Sequence, residues 1–442
     1  MEANTAPFVE RNPKLNVVSS PATGGAWPDK PLSMFAAGTP PDVLSGDVSH
    51  FRWQLAEQGA LTPLDAYIRV DRLDLQDFDP RGVAPGQQGA RQRQQGMKGV
   101  IFTGGRRCEV RDVPVPRPGH GEVLVGVRAA GICGSDLHVY RRQEASDQVR
   151  GHEAAGVVEA VGPGVLRLRP GQRVSIHHHQ GCGVCPDCAR GETVACSVKH
   201  EIVGVHLSGA FGEYVVAQER NCIPLPAQAS FVDGAFYACV GSTAYGALRR
   251  LGVMAHQSLA VYGLGPVGLS CVLVGRALGL RVVGVDPVPR RVALALECGA
   301  QEALNAAQAD AVAAVRRFGR VEGFDGSDGV DFVVETSGSA AGRANVVPSL
   351  RREGRAALVG AGSSGPVIDG ADILARAATL IGSVVFPLGW MWDLARLCAS
   401  SGLRFEPAVT HRFALDQAPE ALAVADGAQG GKVVFECGAS AQ

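Results

Sequence analysis

The segment Leu259-Ala260-Val261-Tyr262-Gly263-Leu264-Gly265-Pro266-Val267-Gly268 is the most informative part of the sequence about the fold. Its first four residues predict a buried strand, and residues 267–278 predict a helix. The glycines permit a tight turn and a close approach of the backbone to a phosphate, while the start of the helix would face a pyrophosphate. The turn alone is a weak signal, but the strand before it and the helix after it make dinucleotide binding the expected role.

The next predicted strand, 281–285, ends at Asp286. A carboxylate there would accept hydrogen bonds from the adenosine ribose and repel a 2′-phosphate, which favours NAD over NADP. Arg290 and Arg291 weaken that preference, and Asp286 has an alternative role as the cap of a helix that starts near Pro289. The predicted cofactor-binding residues are Gly263, Gly265, Pro266, Val267, Gly268, Asp286 and Arg291.

The pattern after residue 96 divides into two parts. Residues 243–384 alternate apolar strands with helices, which predicts a doubly wound parallel sheet, a Rossmann nucleotide-binding domain. Residues 97–242 show short alternating runs between glycines and prolines, which predicts a β-rich domain. The tail, 385–442, is expected to fold back onto this β-rich domain and complete it. The expected fold class is α/β, with an N-terminal extension before residue 97.

A metal-binding pattern begins at Gly131-Ile132-Cys133-Gly134-Ser135-Asp136-Leu137-His138 and continues at Gly151-His152-Glu153. Thiolate and imidazole are both good zinc ligands, and a catalytic zinc takes three protein ligands and leaves the fourth position to water or substrate. An open site of this kind can polarise an alcohol oxygen. Ser135 and His138 are candidates to carry the proton of the alcohol away, while its hydride leaves to a nicotinamide.

Four of the 12 cysteines lie close together in one short segment. Their spacing lets a single loop surround one ion with four thiolates, so no position is left for a substrate. This predicts a structural zinc site, and four unrelated buried cysteines are the alternative. The predicted ligands are Cys182, Cys185, Cys188 and Cys196.

With these motifs in this order, residues 97–437 resemble the zinc-containing medium-chain dehydrogenases, a group that includes alcohol, sorbitol and threonine dehydrogenases. The resemblance implies a GroES-like catalytic domain at 97–242, completed by 385–442, beside the Rossmann domain at 243–384. It also implies NAD and two zinc ions, one catalytic and one structural, as cofactors. The family is usually dimeric or tetrameric, so a homodimer or homotetramer is expected.

The resemblance assigns the catalytic zinc ligands by position. Cys133 and His152 match the first two, and Cys239 matches the third ligand of the alcohol dehydrogenase branch. Glu153 matches a carboxylate that lies beside the metal and in the polyol branch approaches or replaces a ligand. Which of the two is bound at rest is left open. Cys239 is favoured because a thiolate is the softer donor, with a small buried core residue as its alternative role.

Three residues after Cys133 receive roles from the same resemblance. Asp136 orients the histidine ligand, Ser135 hydrogen-bonds the substrate oxygen, and His138 passes the proton to solvent through the cofactor ribose. A histidine titrates in the range that such a relay needs, although a lone histidine is often simply a surface residue. These three are the predicted catalytic residues.

The run His177-His178-His179 precedes the cysteine loop at a predicted strand end. In the family that the chain resembles, this bend borders the substrate pocket, so His178 is a candidate substrate contact. A separate metal site is not expected here, because adjacent residues of a strand point to opposite faces.

Residues 1–80 differ from the rest of the chain. Segments such as Met34-Phe35-Ala36-Ala37-Gly38-Thr39-Pro40 and Leu61-Thr62-Pro63-Leu64-Asp65 resemble a piece near the start of bacterial extracellular sugar-binding proteins of uptake transporters. A sugar cleft in that family needs two complete lobes, so a remnant of gene fusion or a misplaced start is the favoured interpretation. Residues 81–96 are polar and glycine-rich, which predicts a flexible linker.

Composition limits the classes of function. Of the 442 residues, 46% are hydrophobic and 19% charged, which fits a globular enzyme with more than one domain. The formal net charge of -1 argues against nucleic acid or a membrane surface as the main partner. The chain shows no apolar run long enough to span a bilayer and no signal-peptide pattern at Met1-Glu2-Ala3-Asn4, so a cytoplasmic location is expected.

Together these features predict a zinc-dependent oxidoreductase. It would transfer a hydride between NAD and a small-molecule alcohol, with a secondary alcohol or a polyol as the favoured substrate. One alternative is a sugar-binding module, which rests on residues 1–80 alone. Another is a zinc protein whose catalysis has decayed, which is disfavoured because the ligands and the relay residues are present together.

Overall fold

The computed structural model describes residues 96–321, 328–362 and 368–437. The segment predicted to be a solute-binding fragment (1–80) and the predicted linker, apart from Gly96, lie outside these described residues. No helix in the described parts of the chain is long and apolar enough to cross a membrane.

The described residues form strands and helices in the following order. The strands are β1 (Gly96–Phe102), β2 (Cys108–Pro114), β3 (Glu122–Gly131), β4 (Glu153–Val161), β5 (Arg173–Ile176), β6 (His179–Gln180), β7 (Glu201–Ile202), β8 (Tyr214–Gln218), β9 (Cys222–Pro224), β10 (Ser258–Tyr262), β11 (Arg281–Asp286), β12 (Glu302–Asn305), β13 (Val330–Glu335), β14 (Leu350–Leu358), β15 (Thr379–Gly382), β16 (Val409–Phe413) and β17 (Lys432–Glu436). The helices are α1 (Gly134–Tyr140), α2 (Pro186–Ala189), α3 (Phe231–Ala238), α4 (Val240–Leu251), α5 (Pro266–Ala277), α6 (Pro289–Glu297), α7 (Ala311–Gly319), α8 (Ala340–Ala344), α9 (Val346–Ser349), α10 (Gly370–Arg376), α11 (Leu388–Ser401) and α12 (Ala418–Asp426).

One sheet of the described structure has six strands in the order β12-β11-β10-β13-β14-β15, and all its neighbours are parallel. Every residue of β10 is buried, which explains why this strand reads as a continuous apolar run. The strand order reverses between β10 and β13, and ligands of such sheets bind at the carboxyl ends of the strands beside this switch point. The predicted doubly wound parallel sheet is confirmed.

A second, largely antiparallel sheet is built around β3. This strand pairs with β4 along its length, with β8 near its start and with β17 near its end. Strands β5 and β9 continue the sheet beyond β4, and β16 lies beside β17. The last two strands of the described chain, β16 and β17, therefore join a sheet whose other strands come from residues before 225. The predicted α/β class, with a β-rich part and a Rossmann-like part, is confirmed.

The two sheets are joined by a packed core around α3 and α4. One apolar cluster contains Ala129 and Ala155 of the antiparallel sheet, Val261 and Phe332 of the parallel sheet, and Phe405. Each fully buried large side chain of this kind contributes roughly 1.5–3 kcal/mol. This core holds the loops at the end of β3 in a defined place relative to the turn that follows β10.

Candidate active site

The pairing of β3 with β4 brings two predicted metal ligands together. Gly131, the last residue of β3, lies opposite Glu153, the first residue of β4. Cys133 follows β3 as the N-terminal cap of α1, and His152 immediately precedes β4. Because the strands are antiparallel, a residue just past the end of one and a residue just before the other meet at the same edge of the sheet.

The third and fourth candidates complete the group. Cys239 lies at the junction between α3 and α4, and α3 packs against β3 and β4. The sulfurs of Cys133 and Cys239, a ring nitrogen of His152 and a carboxylate oxygen of Glu153 all lie within 4.8 Å of one another. Two thiols and an imidazole form a donor set that suits zinc, so the residues present fit this metal.

Asp136 connects the two ligands that the sheet brings together. One carboxylate oxygen accepts a hydrogen bond from the Cys133 backbone at 2.9 Å, and the other lies 3.0 Å from Nδ1 of His152. This contact fixes the imidazole so that Nε2 is the nitrogen left for a metal. Burial disfavours the charged imidazole, but the Asp136 and Cys133 charges outweigh it and raise the pKa of His152 well above its usual value.

The two thiols of the group influence each other. A hydrogen bond from Cys239, together with the His152 charge, outweighs burial and lowers the pKa of Cys133 well below that of a free thiol. The same contact and burial raise the pKa of Cys239. A thiolate is the form that ligates a metal, so Cys133 is prepared for this role by its neighbours.

Lys432 is a site residue that the sequence analysis did not identify. Its ammonium lies 2.5 Å from a carboxylate oxygen of Glu153, and both side chains are fully buried. Burial raises the pKa of Glu153 to about 7, against the opposing effect of Lys432. A signal was present in the sequence: a lysine that opens the apolar run Val433-Val434-Phe435 places a charge at a buried strand.

Replacing Lys432 with methionine is expected to lower the free energy of unfolding by about 2–3 kcal/mol. Loss of one partner of a buried ion pair costs about 3–5 kcal/mol, but Glu153 titrates near neutrality and can take up a proton, which reduces the loss. Urea unfolding measures the effect. The double variant Lys432→Met/Glu153→Gln has no buried charge at this point and should recover at least half of the loss. A single variant as stable as the wild type would contradict the argument.

The two relay candidates lie on α1, beside the metal ligands. The side chains of Ser135 and His138 are both exposed. They are therefore free to contact a bound alcohol or cofactor, as a proton relay requires.

The three consecutive histidines differ from the expected alternation. His177 and His178 lie between β5 and β6 rather than within a strand, and neighbouring rings are 4.4 to 5.9 Å apart between centroids. The premise that adjacent residues point to opposite faces was therefore wrong here. His178 is buried with its ring 4.8 Å from that of His152, and its Nδ1 lies 2.8 Å from the Ala238 carbonyl.

The four-cysteine loop forms a second compact group. The sulfurs of Cys182 and Cys188 are 4.0 Å apart and those of Cys185 and Cys196 are 3.8 Å apart. A tetrahedral ion with zinc–sulfur bonds of about 2.3 Å requires sulfurs roughly 3.8 Å apart. Backbone N–H groups, the largest effect coming from Cys182, lower the pKa of Cys196 to about 6. The residues present fit a zinc ion held by four sulfurs.

The glycine turn has the geometry that its sequence predicts. Gly263 has a φ of 90°, and a Cβ there would lie 2.7 Å from the Ser337 backbone nitrogen. A Cβ on Gly268 would lie 1.9 Å from the Gly263 carbonyl oxygen, so a side chain is excluded at both positions. Helix α5 begins at Pro266, and its N-terminus can bind a phosphate.

Asp286 lies at the end of β11, beside this turn. Its carboxylate accepts hydrogen bonds from the backbone of Leu264 at 2.7 Å and of Val288 at 2.9 Å. Arg291 lies 3.7 Å from the same carboxylate and donates to the Gly430 carbonyl at 3.0 Å. Helix α6 is capped by Val288, so the alternative role of Asp286 as the cap residue is not the one observed.

Family profiles match three parts of the chain. Residues 119–227 match the alcohol dehydrogenase GroES-like domain, and residues 266–396 match the zinc-binding dehydrogenase profile. Residues 1–90, which all lie outside the described structure, match the bacterial extracellular solute-binding proteins.

Individual relatives cover the chain after the N-terminal segment. An uncharacterized zinc-type alcohol dehydrogenase-like protein, YphC of Escherichia coli (strain K12), is 33% identical over 77% of this chain and 98% of its own length. An L-threonine 3-dehydrogenase of Anaeromyxobacter sp. (strain Fw109-5) is 33% identical over 77% of this chain and all of its own. The structure of the alcohol dehydrogenase TADH from Thermus sp. ATN1 superposes with a TM-score of 0.71, at 32% identity over 77% of this chain and 100% of that one.

Proposed function

Because the chain belongs to the zinc-containing alcohol dehydrogenase family, we propose that it oxidises a secondary alcohol or a polyol with NAD, at a site built by Cys133, His152 and Cys239. Family membership makes it a zinc-dependent oxidoreductase of the alcohol type. The observation that carries the site assignment is the convergence of the two sulfurs and the imidazole within 4.8 Å of one another.

Some residues of the proposed site would bind the metal, and others would transfer the proton of the alcohol. Cys133, His152 and Cys239 would hold the zinc, and Asp136 keeps the imidazole in an orientation suited to ligation. When bound, zinc polarises the alcohol oxygen and NAD accepts the hydride. Ser135 accepts a hydrogen bond from the substrate hydroxyl and His138 takes its proton to solvent, for which their exposed positions on α1 are suited.

Glu153 is proposed as the neighbour of the metal rather than its resting ligand. Its carboxylate is paired with Lys432 at 2.5 Å, and breaking this contact would leave a buried ammonium without a counter-charge. Lys432 thus favours Cys239 over Glu153 as the third protein ligand that would hold the metal. The structural zinc is assigned to Cys182, Cys185, Cys188 and Cys196.

The nucleotide is proposed to bind along the carboxyl end of the parallel sheet. Gly263, Gly265, Pro266, Val267 and Gly268 would hold its phosphates at the start of α5. Asp286 and Arg291 would contact the adenosine end, which follows the position of Asp286 at the end of β11.

The domain division, the assembly and the location are also proposals. We propose a catalytic domain at 97–242 completed by 385–442, a nucleotide-binding domain at 243–384, a separate segment at 1–80 and a linker at 81–96. A homodimer or homotetramer is supported by the edge of β15, which pairs with no further strand of the described residues, and by exposed Leu374 and Val384 nearby. A cytoplasmic location is supported by the cysteines, which form no disulfides.

A substrate screen tests the proposed function. We expect NADH to form with at least one secondary alcohol, polyol or threonine when metal-quantified protein is supplied with NAD, and primary alcohols and sugars to react more slowly. A chain that starts at Met97 should match the full chain within about twofold, because the proposed site uses only residues after 130. Loss of all activity on this truncation would favour a function that depends on residues 1–96.

A further inference from the structure

A large cavity lies between α1 and the start of α5. Its volume is about 840 Å³, and its walls include Gly134 and Leu137 on one side and Pro266 and Val288 on the other. The cavity therefore joins the helix that begins at Cys133 to the glycine turn. Under the proposed function, it is the space through which the dinucleotide runs.

The charged residues that line this cavity all have one sign. These are the arginines Arg141, Arg290 and Arg291, and no carboxylate is among its described lining residues. Such a wall is complementary to a diphosphate. Arg290 is paired with Glu297. Arg291 lies beside Asp286, the last residue of β11, and donates to the Gly430 carbonyl. These two arginines therefore belong to the end of the cavity next to β11. Arg141 comes from the opposite wall.

Arg141 is held in a defined position by the last residue of α12. Its Nε lies 2.6 Å from one carboxylate oxygen of Asp426, whose other oxygen lies 3.0 Å from Nε of Arg106. The Asp426 side chain is only 15% exposed. The two terminal nitrogens of the Arg141 guanidinium have no hydrogen-bond partner within the described residues, so the bidentate edge of the fork is available to an anion.

The wall beside Arg141 has space for the ligand. A Cβ added at Gly134 would meet no atom within 4 Å, and the same holds for Gly265, which caps α5. Arg141 follows the end of α1, roughly 12 Å along the helix axis from Cys133. This places it away from the reacting atoms and on the side of the cavity that faces the phosphate-binding helix terminus.

We propose that Arg141 is a cofactor-binding residue that pairs with the diphosphate of the dinucleotide, and that Asp426 is the residue that positions it. This inference rests on the proposed function. Charge-assisted hydrogen bonds to phosphate are stronger than neutral ones, and the half-exposed position of Arg141 reduces the effect through solvent screening. Arg141→Ala should therefore weaken binding roughly tenfold, with little change in turnover at saturating NAD.

Calorimetric titration of the full chain with adenosine, AMP, ADP and NADH tests the assignment. For Arg141→Ala we expect roughly tenfold weaker binding of ADP and NADH, unchanged binding of adenosine, and a shallower dependence of ADP affinity on salt. Arg142→Ala is the matched control, because Arg142 is the adjacent exposed arginine and does not line the cavity. It should bind all four ligands like the wild type.

The role of Asp426 is tested by a double-mutant cycle. Asp426→Asn should weaken ADP binding about threefold, and the Arg141→Ala/Asp426→Asn double variant should bind no more weakly than Arg141→Ala alone. Additive losses would show that Asp426 acts independently of Arg141 and would overturn its positioning role.

The possible failures are distinguishable. Wild-type protein that binds neither ADP nor NADH would overturn the proposed function and this inference with it. Normal wild-type binding with an unchanged ADP affinity in Arg141→Ala, or with an equal loss of adenosine affinity, would overturn this inference alone.

Discussion

Replacing Cys133 with serine is expected to lower turnover by about 10³-fold or more while NADH binding stays within about twofold of the wild type. A serine hydroxyl stays protonated near neutral pH, and its oxygen is a harder metal ligand than sulfur. It therefore does not replace the thiolate that the Cys239 contact and the His152 charge stabilise at this position. A Lewis acid supplies several kcal/mol to the reaction, and each 1.4 kcal/mol corresponds to a factor of ten in rate. The nucleotide contacts proposed at Gly263 and Asp286 are left unchanged.

His152→Ala should give the same result, because it removes the ligand that Asp136 orients. Zinc per chain, measured by mass spectrometry, should fall from two to one in both variants. Cys108→Ser is the matched control: its thiol lies in β2 outside both metal groups, so zinc content and turnover should be retained. Turnover at the wild-type rate in either variant would show that this metal site takes no part in the reaction.

The sequence was informative where chemistry depends on neighbours along the chain. The strand, the glycine turn and the helix that follow one another here can be predicted from a single segment. Glycine is required at Gly263 and Gly268, because a side chain at either position would collide with the backbone. The cysteine loop is local in the same sense. Its four sulfurs come from a stretch short enough for the spacing alone to fix their approach.

The catalytic group depends on contacts that are distant in sequence. The register of β3 against β4 brings Cys133 to His152, and packing of α3 on these strands adds Cys239. Lys432 reaches Glu153 only because β17, near the end of the chain, pairs with β3. No spacing rule encodes such a partner, so the sequence left the choice between Glu153 and Cys239 open.

The histidine run shows a local failure of pattern reasoning. Alternation of side chains holds only while the backbone is a regular strand, and β5 ends at Ile176. Asn221 donates to the carbonyls of His177 and His179 at 3.1 and 2.8 Å, so the backbone between β5 and β6 is held in an irregular form. Three imidazoles consequently lie near one another, a result that depends on a residue more than forty positions away.

The second large effect is expected for the four-cysteine loop. Replacing Cys188 with alanine removes one of the four sulfurs that converge in this loop. The loop has little apolar core of its own, because α2 has no fully buried residue and the side chain of Val184 is 88% exposed. A structural zinc contributes its binding energy directly to folding. We expect the midpoint of thermal unfolding to fall by roughly 5–10 °C, corresponding to about 3 kcal/mol.

The same variant separates a structural metal from a catalytic one. Cys188→Ala should lose one zinc per chain and become sensitive to protease between residues 182 and 199, yet keep its turnover at low temperature, because Cys133, His152 and Cys239 lie outside the loop. Val184→Ala, in the same loop but not a ligand, should shift the midpoint by less than about 1 °C. If Cys188→Ala kept both zinc ions and its thermal midpoint, the four sulfurs would have to be ordinary side chains, and the loop would owe its shape to backbone hydrogen bonds alone.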